Sequence, residues 1–224
     1  MSTHILNRID PLKKQQDNGL DGGQGLSPMD PPDAYRPPNL DPVPKSAMHP
    51  FLRALIDEHE PLIDELNAFE EAIVATQKDG YSKESNASLM RFFRFFDRDF
   101  SRQSRCEEAV LYPLLRQRLM AAGEHGKGDS PGTATDAIQD GHAEAAQLAA
   151  VVVNFLGLVF RLPDERSRLV VLDAALEQSK NLVELLRLLI FRKHNVLYSL
   201  AHRLITTDEF DQLQSMGERS SKAN

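Results

Sequence analysis

The chain has 224 residues, of which 41% are hydrophobic and 26% charged, and this composition is typical of one globular domain with a tail. Its net charge of −7 argues against a protein whose main role is to bind the phosphates of a nucleic acid. Its single cysteine, Cys106, excludes an intrachain disulfide and a metal site built from several cysteines.

Targeting and membrane segments are not evident in the sequence. Residues 1–14 carry charges of both signs and no long apolar centre, so we predict no signal peptide. The best apolar run, residues 148–160, is short and contains Asn154, so we expect no membrane span. The expected location is the cytoplasm, with neither a membrane nor a nucleic acid as partner.

The first 48 residues differ in composition from the rest of the chain. They contain most of the prolines and few large aliphatic side chains, so they cannot bury enough apolar surface to offset the entropy of ordering. We predict a flexible Pro-rich tail over residues 1–48 and a disordered C-terminus over residues 218–224. The folded domain is predicted to comprise residues 49–217.

Apolar residues recur every three or four positions throughout this domain, as in amphipathic helices. Helices are predicted near 50–77, 83–121, 134–162 and 164–205, with a short one near 208–216. Each long helix has one apolar stripe, and short connections favour antiparallel neighbours. The predicted class is therefore all-α, an antiparallel up-down-up-down four-helix bundle.

An internal repeat relates the two halves of the domain. Residues 108–114, EAVLYPL, are echoed 86 residues later by HNVLYSL at residues 194–200. More weakly, the sequence around His59 is echoed 83 residues later around His142. Two similar helical hairpins would pack about a pseudo-twofold axis, so that equivalent residues approach each other in the core.

Polar side chains interrupt each apolar stripe. They are His59 on the first helix, Gln103 and Glu107 on the second, His142 on the third and Lys193 on the fourth. Imidazole and carboxylate groups suit iron, manganese or zinc, and facing helices of a bundle can hold such ligands. The spacing alone leaves open a metal site and a hydrogen-bonded polar core.

Four motifs are similar to those of the hemerythrin-like, or HHE cation-binding, family. They are LIDEHEPLIDEL around His59, EEAVLYPLL from Glu107, IQDGHAEAAQL around His142 and NVLYSLA from Asn195. The resemblance covers about three quarters of the chain. It implies a four-helix bundle with a non-haem di-iron centre, used for oxygen binding, nitric-oxide response or repair of iron centres.

The resemblance also implies a ligand set, which the chain matches in part. His59, Glu107 and His142 correspond to family ligands. Gln103, Leu189 and Lys193 stand where the family pattern has His, His and Glu. Gln is a poor iron ligand, Leu is none, and a protonated Lys repels a cation. We therefore expect the non-haem iron to be absent or substoichiometric.

Two neighbouring residues are candidates to replace the missing ligands. Glu108 and His194 are repeat equivalents, but His194 would need a helix rotation or a local bulge to point inward, and a surface or boundary position is favoured for it. Cys106, beside Glu107, is expected to be a small buried hydrophobic residue. The aromatic cluster of Phe92, Phe93, Phe95 and Phe96 predicts core packing together with a homodimer face.

Two functional hypotheses follow, both without enzymatic activity. In the first, a weakened iron site at His59, Glu107 and His142 binds or senses a small diatomic ligand, either oxygen or nitric oxide. In the second, the bundle is metal-free and acts as an interaction or regulatory module. Glu107 and Lys193 then form a polar pair in its core.

Overall fold

The computed structural model describes residues 41–127 and 131–222, with side chains as far as residue 217. The predicted all-α class is confirmed in this part of the chain, which contains helices, turns and loops and no strand. The α-helices are α1 (Pro50–Asp57), α2 (Glu60–Asp79), α3 (Lys83–Phe95), α4 (Ser101–Val110), α5 (Tyr112–Ala121), α6 (Ala134–Val159), α7 (Glu165–Arg192), α8 (Tyr198–Leu204) and α9 (Thr207–Lys222). Two π-helical segments, Phe96–Phe100 and Lys193–Leu197, connect α3 to α4 and α7 to α8.

Local signals account for several helix ends. The Ser82 side chain accepts a hydrogen bond from a backbone N–H in the first turn of α3, and Asp164 does the same for α7. Thr133 takes part in a capping box at the start of α6. These contacts satisfy N–H groups that have no partner within the helix. Gly80, with φ +89°, ends α2 in a conformation that favours glycine.

The long helices enclose a common apolar core. Helix α2 contacts α3 and α7, while α6 contacts the same two helices, and the α6–α7 hairpin has the most extensive contact. Inward side chains from all four helices are buried, among them Phe69, Ile73, Phe92, Val152, Leu156, Leu182 and Leu186. Phe69 stacks on Phe92 with ring centroids 4.1 Å apart.

The predicted aromatic cluster contributes chiefly to this core. Phe92, Phe93 and Phe96 are buried, and Phe95 is half-buried. Phe93 and Phe69 meet edge to face with centroids 5.3 Å apart. Since these rings are used inside the chain, a homodimer face, which stays a prediction, would have to be formed largely by other side chains.

Three of the helices predicted as continuous are interrupted. The first breaks at Glu58 and His59, the second in the segment Phe96–Phe100 and at Leu111, and the fourth in the segment Lys193–Leu197. Pro61 and Pro113 lie in the first turns of α2 and α5, where a residue without an N–H cannot continue the preceding helix. A π turn adds one residue to a helix, and the spacing of the apolar residues does not show where that residue lies.

The structure differs from the sequence prediction near both ends of the described chain. Val43 N–H donates to Ser199 Oγ at 3.0 Å, and Met48 is buried, although both residues fall in the predicted tail. The rest of that tail, residues 1–40, lies outside the described residues. At the other end, α9 extends to Lys222, beyond the predicted helix end at Met216 and into the segment 218–224 that was predicted to be disordered.

Helix α6 meets the length and composition limits of a membrane span. It has 26 residues, whereas the apolar run noted in the sequence has half that length, so the premise that every apolar stretch is too short was wrong. The expectation of no membrane span stays a prediction. The core helix of a soluble protein can satisfy the same limits. One face of α6, which includes Ile138, Val152 and Leu156, is buried against the other helices.

Candidate functional site

A buried carboxylate, that of Glu107, is the centre of a polar cluster in the core. Lys193 Nζ lies 2.8 Å from Glu107 Oε2, and both side chains are almost fully buried. The Tyr112 hydroxyl donates to Oε2 at 3.0 Å, and the Tyr198 hydroxyl donates to Oε1 at 3.2 Å. Three donors therefore replace the hydration that Glu107 loses on burial.

The helix interruptions position these donors. Tyr112 begins α5 five residues after Glu107, and Tyr198 begins α8 five residues after Lys193. In the second case the Tyr198 N–H donates to the Lys193 carbonyl, an i→i+5 bond of the π segment. This turn brings the Lys193 and Tyr198 side chains to the same carboxylate.

Two further contacts bring in the histidines. His59 Nδ1 lies 2.8 Å from His194 Nε2, and His59 Nε2 lies 3.8 Å from Glu107 Oε1. His142 Nδ1 lies 2.7 Å from Glu108 Oε1. Because His59 and His142 are repeat equivalents, as are His194 and Glu108, the two helical hairpins contribute corresponding contacts.

The structure thus places His194 at the core boundary, in contact with His59. The π segment Lys193–Leu197 supplies the bulge that such an orientation requires. Gln103 is buried, and its Nε2 atom has no hydrogen-bond partner among the described residues. Leu189 is buried against Gly141, where a Cβ would lie 2.4 Å from Leu189 Cδ2.

Burial keeps the imidazoles neutral. It lowers the pKa of His59 to about 2 and that of His194 to about 4, and in both cases the Lys193 charge is the next cause. The pKa of His142 is also lowered, by burial and then by Lys193, against the opposing effect of Glu108. The contact between His59 and Glu107 is therefore not an ion pair near pH 7.

Burial has the opposite effect on the two tyrosines. It raises the pKa of Tyr112 and that of Tyr198 well above their ordinary value, and the Glu107 charge raises both further. Their hydroxyls stay protonated and can donate to Glu107. At the centre of the cluster the carboxylate of Glu107 is therefore paired with the Lys193 ammonium, and these two opposite charges balance.

This arrangement places an ammonium group against the carboxylate that the resemblance assigns to iron. Lys193 Nζ contacts Oε2 of Glu107, and the resemblance implies that this carboxylate is a metal ligand. A divalent cation at about 5 Å from an ammonium would be repelled by about 7 kcal/mol at an effective dielectric constant near 20. Among the described residues, no three His, Cys, Asp or Glu side chains are grouped so that they could hold a metal ion.

Tyr112 and Tyr198 are residues of the cluster that were not predicted from the sequence, and Cys106, beside the cluster, was predicted in the wrong environment. Tyr112 and Tyr198 occupy equivalent positions of the repeat, 86 residues apart, and this equivalence was the available signal. Cys106 is exposed, so the expectation of a buried side chain was wrong. Its neighbour Glu107 points into the core, and adjacent helical positions differ by about 100° in direction.

Comparison with protein-family models, with curated proteins and with solved structures finds no match to this chain. The resemblance to hemerythrin-like proteins therefore stays a prediction, carried by the motifs around His59, Glu107 and His142.

Proposed function

We propose that the chain is a metal-free, non-enzymatic helical interaction module, in which the Lys193 ammonium takes the place of a bound cation. The observation that carries this proposal is the 2.8 Å contact between Lys193 Nζ and Glu107 Oε2 in the buried core. An ammonium neutralises the carboxylate there, so no metal is needed for charge balance.

The architecture that we propose is an antiparallel up-down-up-down four-helix bundle. The mutual contacts of α2, α3, α6 and α7 support it, since each of these helices packs against two others. The α6–α7 connection spans only five residues, which favours antiparallel packing of the two helices. In such a bundle the cluster around Glu107 would join all four helical stretches.

The role we assign to the polar cluster is structural. A buried ion pair does not by itself stabilise a fold, because desolvation offsets its attraction, but it can select one register of the helices. Here the register is further defined by the two tyrosine hydroxyls on Glu107. A bundle with one fixed register presents a defined outer surface, which an interaction module requires.

Elemental analysis tests the proposal. We expect protein purified from iron-supplemented cells to contain well under one iron per chain. A matched variant with Gln103→His, Leu189→His and Lys193→Glu restores the ligand set that the resemblance implies. Its iron content should rise towards about two per chain. Finding about two irons in the unmutated chain would overturn the proposal.

A second candidate is a weakened iron site that binds or senses oxygen or nitric oxide. It is favoured by one observation, that the buried Nε2 atoms of His59 and His142 have no hydrogen-bond partner in the part of the chain that the structure describes. It requires Lys193 to leave Glu107, because ammonium and cation repel each other. A substantial fraction of one iron per unmutated chain, lost in the variant His59→Gln with His142→Gln, would support this candidate against the metal-free module.

A further inference from the structure

Five arginines lie along the outer side of the helical stretch formed by α3 and α4. They are Arg91, Arg94, Arg98, Arg102 and Arg105, and all five are exposed. Buried residues of the same stretch, such as Phe92, Phe100 and Glu107, face the core. The outer surface of this stretch is therefore strongly basic, although the whole chain carries a net charge of −7.

Arg94, Arg98 and Arg102 form the arginine row. Each is four residues from the next, and in a regular α-helix a step of four drifts by about 40° around the axis. The π segment Phe96–Phe100 lies between Arg94 and Arg102, and its extra residue offsets most of the rotation that the two steps of four accumulate. The three backbone positions consequently lie close to one line along the helix, which extends for about 12 Å at 1.5 Å per residue.

The arginine row is only partly neutralised within the chain. Arg94 and Arg102 form no ion pair with any described residue, and Arg98 contacts only its neighbour Asp99, at 2.7 Å. Other exposed arginines are tied across helices, such as Arg91 to Glu65 and Arg187 to Glu70. The row thus presents guanidinium groups with free donors to solvent.

We propose that the arginine row docks a carboxylate-rich segment of a protein partner. A guanidinium group can donate two parallel hydrogen bonds to one carboxylate, which gives direction as well as charge attraction. The spacing of the row, about 6 Å along the helix from one arginine to the next, matches the axial spacing of carboxylates four residues apart on a partner helix. This inference rests on the proposed function, since it names the surface and the partner of the interaction module.

The surroundings of the row favour a protein over the other polyanions. The acidic residues Asp97 and Asp99 lie beside it, and the Arg102 charge acts on Glu58, where it opposes the rise in the pKa of the carboxyl that burial causes. These carboxylates and the net charge of −7 oppose a nucleic acid more strongly than a short carboxylate-rich segment, because a nucleic acid carries a much denser run of negative charge. A lipid surface would need apolar side chains that insert beside the cations. In the described part of the chain, none of the exposed large hydrophobic residues lies in α3, α4 or α5.

The test uses the full chain and a fluorescein-labelled helical peptide of about 14 residues with Glu at every fourth position. Fluorescence anisotropy gives the Kd at low and high salt. The variant Arg94→Glu, Arg98→Glu, Arg102→Glu should bind at least about tenfold more weakly than the unmutated chain. The control variant Arg161→Glu, Arg166→Glu, Arg168→Glu reverses three exposed arginines elsewhere and should stay within about twofold.

The two variants have equal net charge, so their comparison isolates the position of the charges. The proposal is overturned if both lose affinity equally, if the unmutated chain does not bind the peptide, or if a peptide with Gln in place of Glu binds as well. It is also overturned if vesicles rich in phosphatidylserine, or duplex DNA, bind the row more tightly than the Glu peptide does. Circular dichroism verifies that both variants are folded.

The outcome is separate from that of the metal measurement. If the unmutated chain contains iron but the peptide still binds through the row, the metal-free function fails and the docking surface stands. If the chain is metal-free but the row does not bind the peptide, only the docking surface fails.

Discussion

His59 and His194 meet across the core, with Nδ1 of the first 2.8 Å from Nε2 of the second. The contact joins the break between α1 and α2 to the π segment that follows α7. Two backbone irregularities, 135 residues apart in the chain, therefore meet at one side-chain contact. Irregular helical turns of this kind are frequent where a side chain must be directed to a particular place.

Replacing Lys193 with Met tests the buried ion pair. The variant leaves Glu107 charged and buried with only hydroxyl donors, so we expect the free energy of unfolding to fall by about 3–5 kcal/mol. Urea denaturation followed by circular dichroism measures the change. Adding Glu107→Gln should recover part of the loss, since the uncompensated charge is then removed as well. A Lys193→Met variant as stable as the unmutated chain would contradict the assignment.

Gly141 and Gly157 both lie in α6 but differ in the space around them. A Cβ at Gly141 would lie 2.4 Å from Cδ2 of the buried Leu189, whereas a Cβ at Gly157 would meet no atom of the described residues within 4 Å. We expect Gly141→Ala to lower the free energy of unfolding by about 1–2 kcal/mol through overpacking. Gly157→Ala should raise it by up to about 1 kcal/mol, because Ala favours the helix. Equal gains in urea denaturation would show that Leu189 does not restrict position 141.

The low pKa of His59 predicts a loss of stability in acid. Between its ordinary value of 6.5 and about 2, the unfolded chain binds a proton on this imidazole and the folded chain does not. The free energy of unfolding should therefore fall as the pH decreases below about 6.5, by about 1 kcal/mol per pH unit for this group. Urea denaturation at pH 7 and at pH 5 measures the slope. The variant His59→Gln should have a smaller slope, and an unchanged slope would contradict the prediction.

Two truncations distinguish the contribution of residues 1–40 to stability from that of residues 41–48. Deleting residues 1–40 should leave the thermal midpoint nearly unchanged, as predicted for a flexible tail. Deleting residues 1–48 also removes the buried Met48 and the hydrogen bond from Val43 to Ser199. We expect this second deletion to cost about 2 kcal/mol more, since a buried Met contributes about that amount. Equal thermal midpoints would show that the segment 41–48 adds nothing to the fold.

The all-α class and the inward direction of several polar residues could be predicted from the sequence. Both depend on the spacing of three and four residues, which a helix converts locally into one face. For this reason His59, Glu107, His142 and Lys193 were placed inward from spacing alone, and all four are buried. The repeat also predicted that equivalent hairpin positions approach each other.

Only the tertiary structure decided how these side chains are paired. The π turn at Lys193–Leu197, the inward position of His194 and the two tyrosine donors on Glu107 depend on helices that are distant in sequence. An i→i+5 turn is unfavourable in an isolated helix, and no local pattern marks it. It is held in place here by the contacts that its extra residue allows across the core. Local periodicity determines which face of a helix is buried, whereas packing determines which polar groups meet.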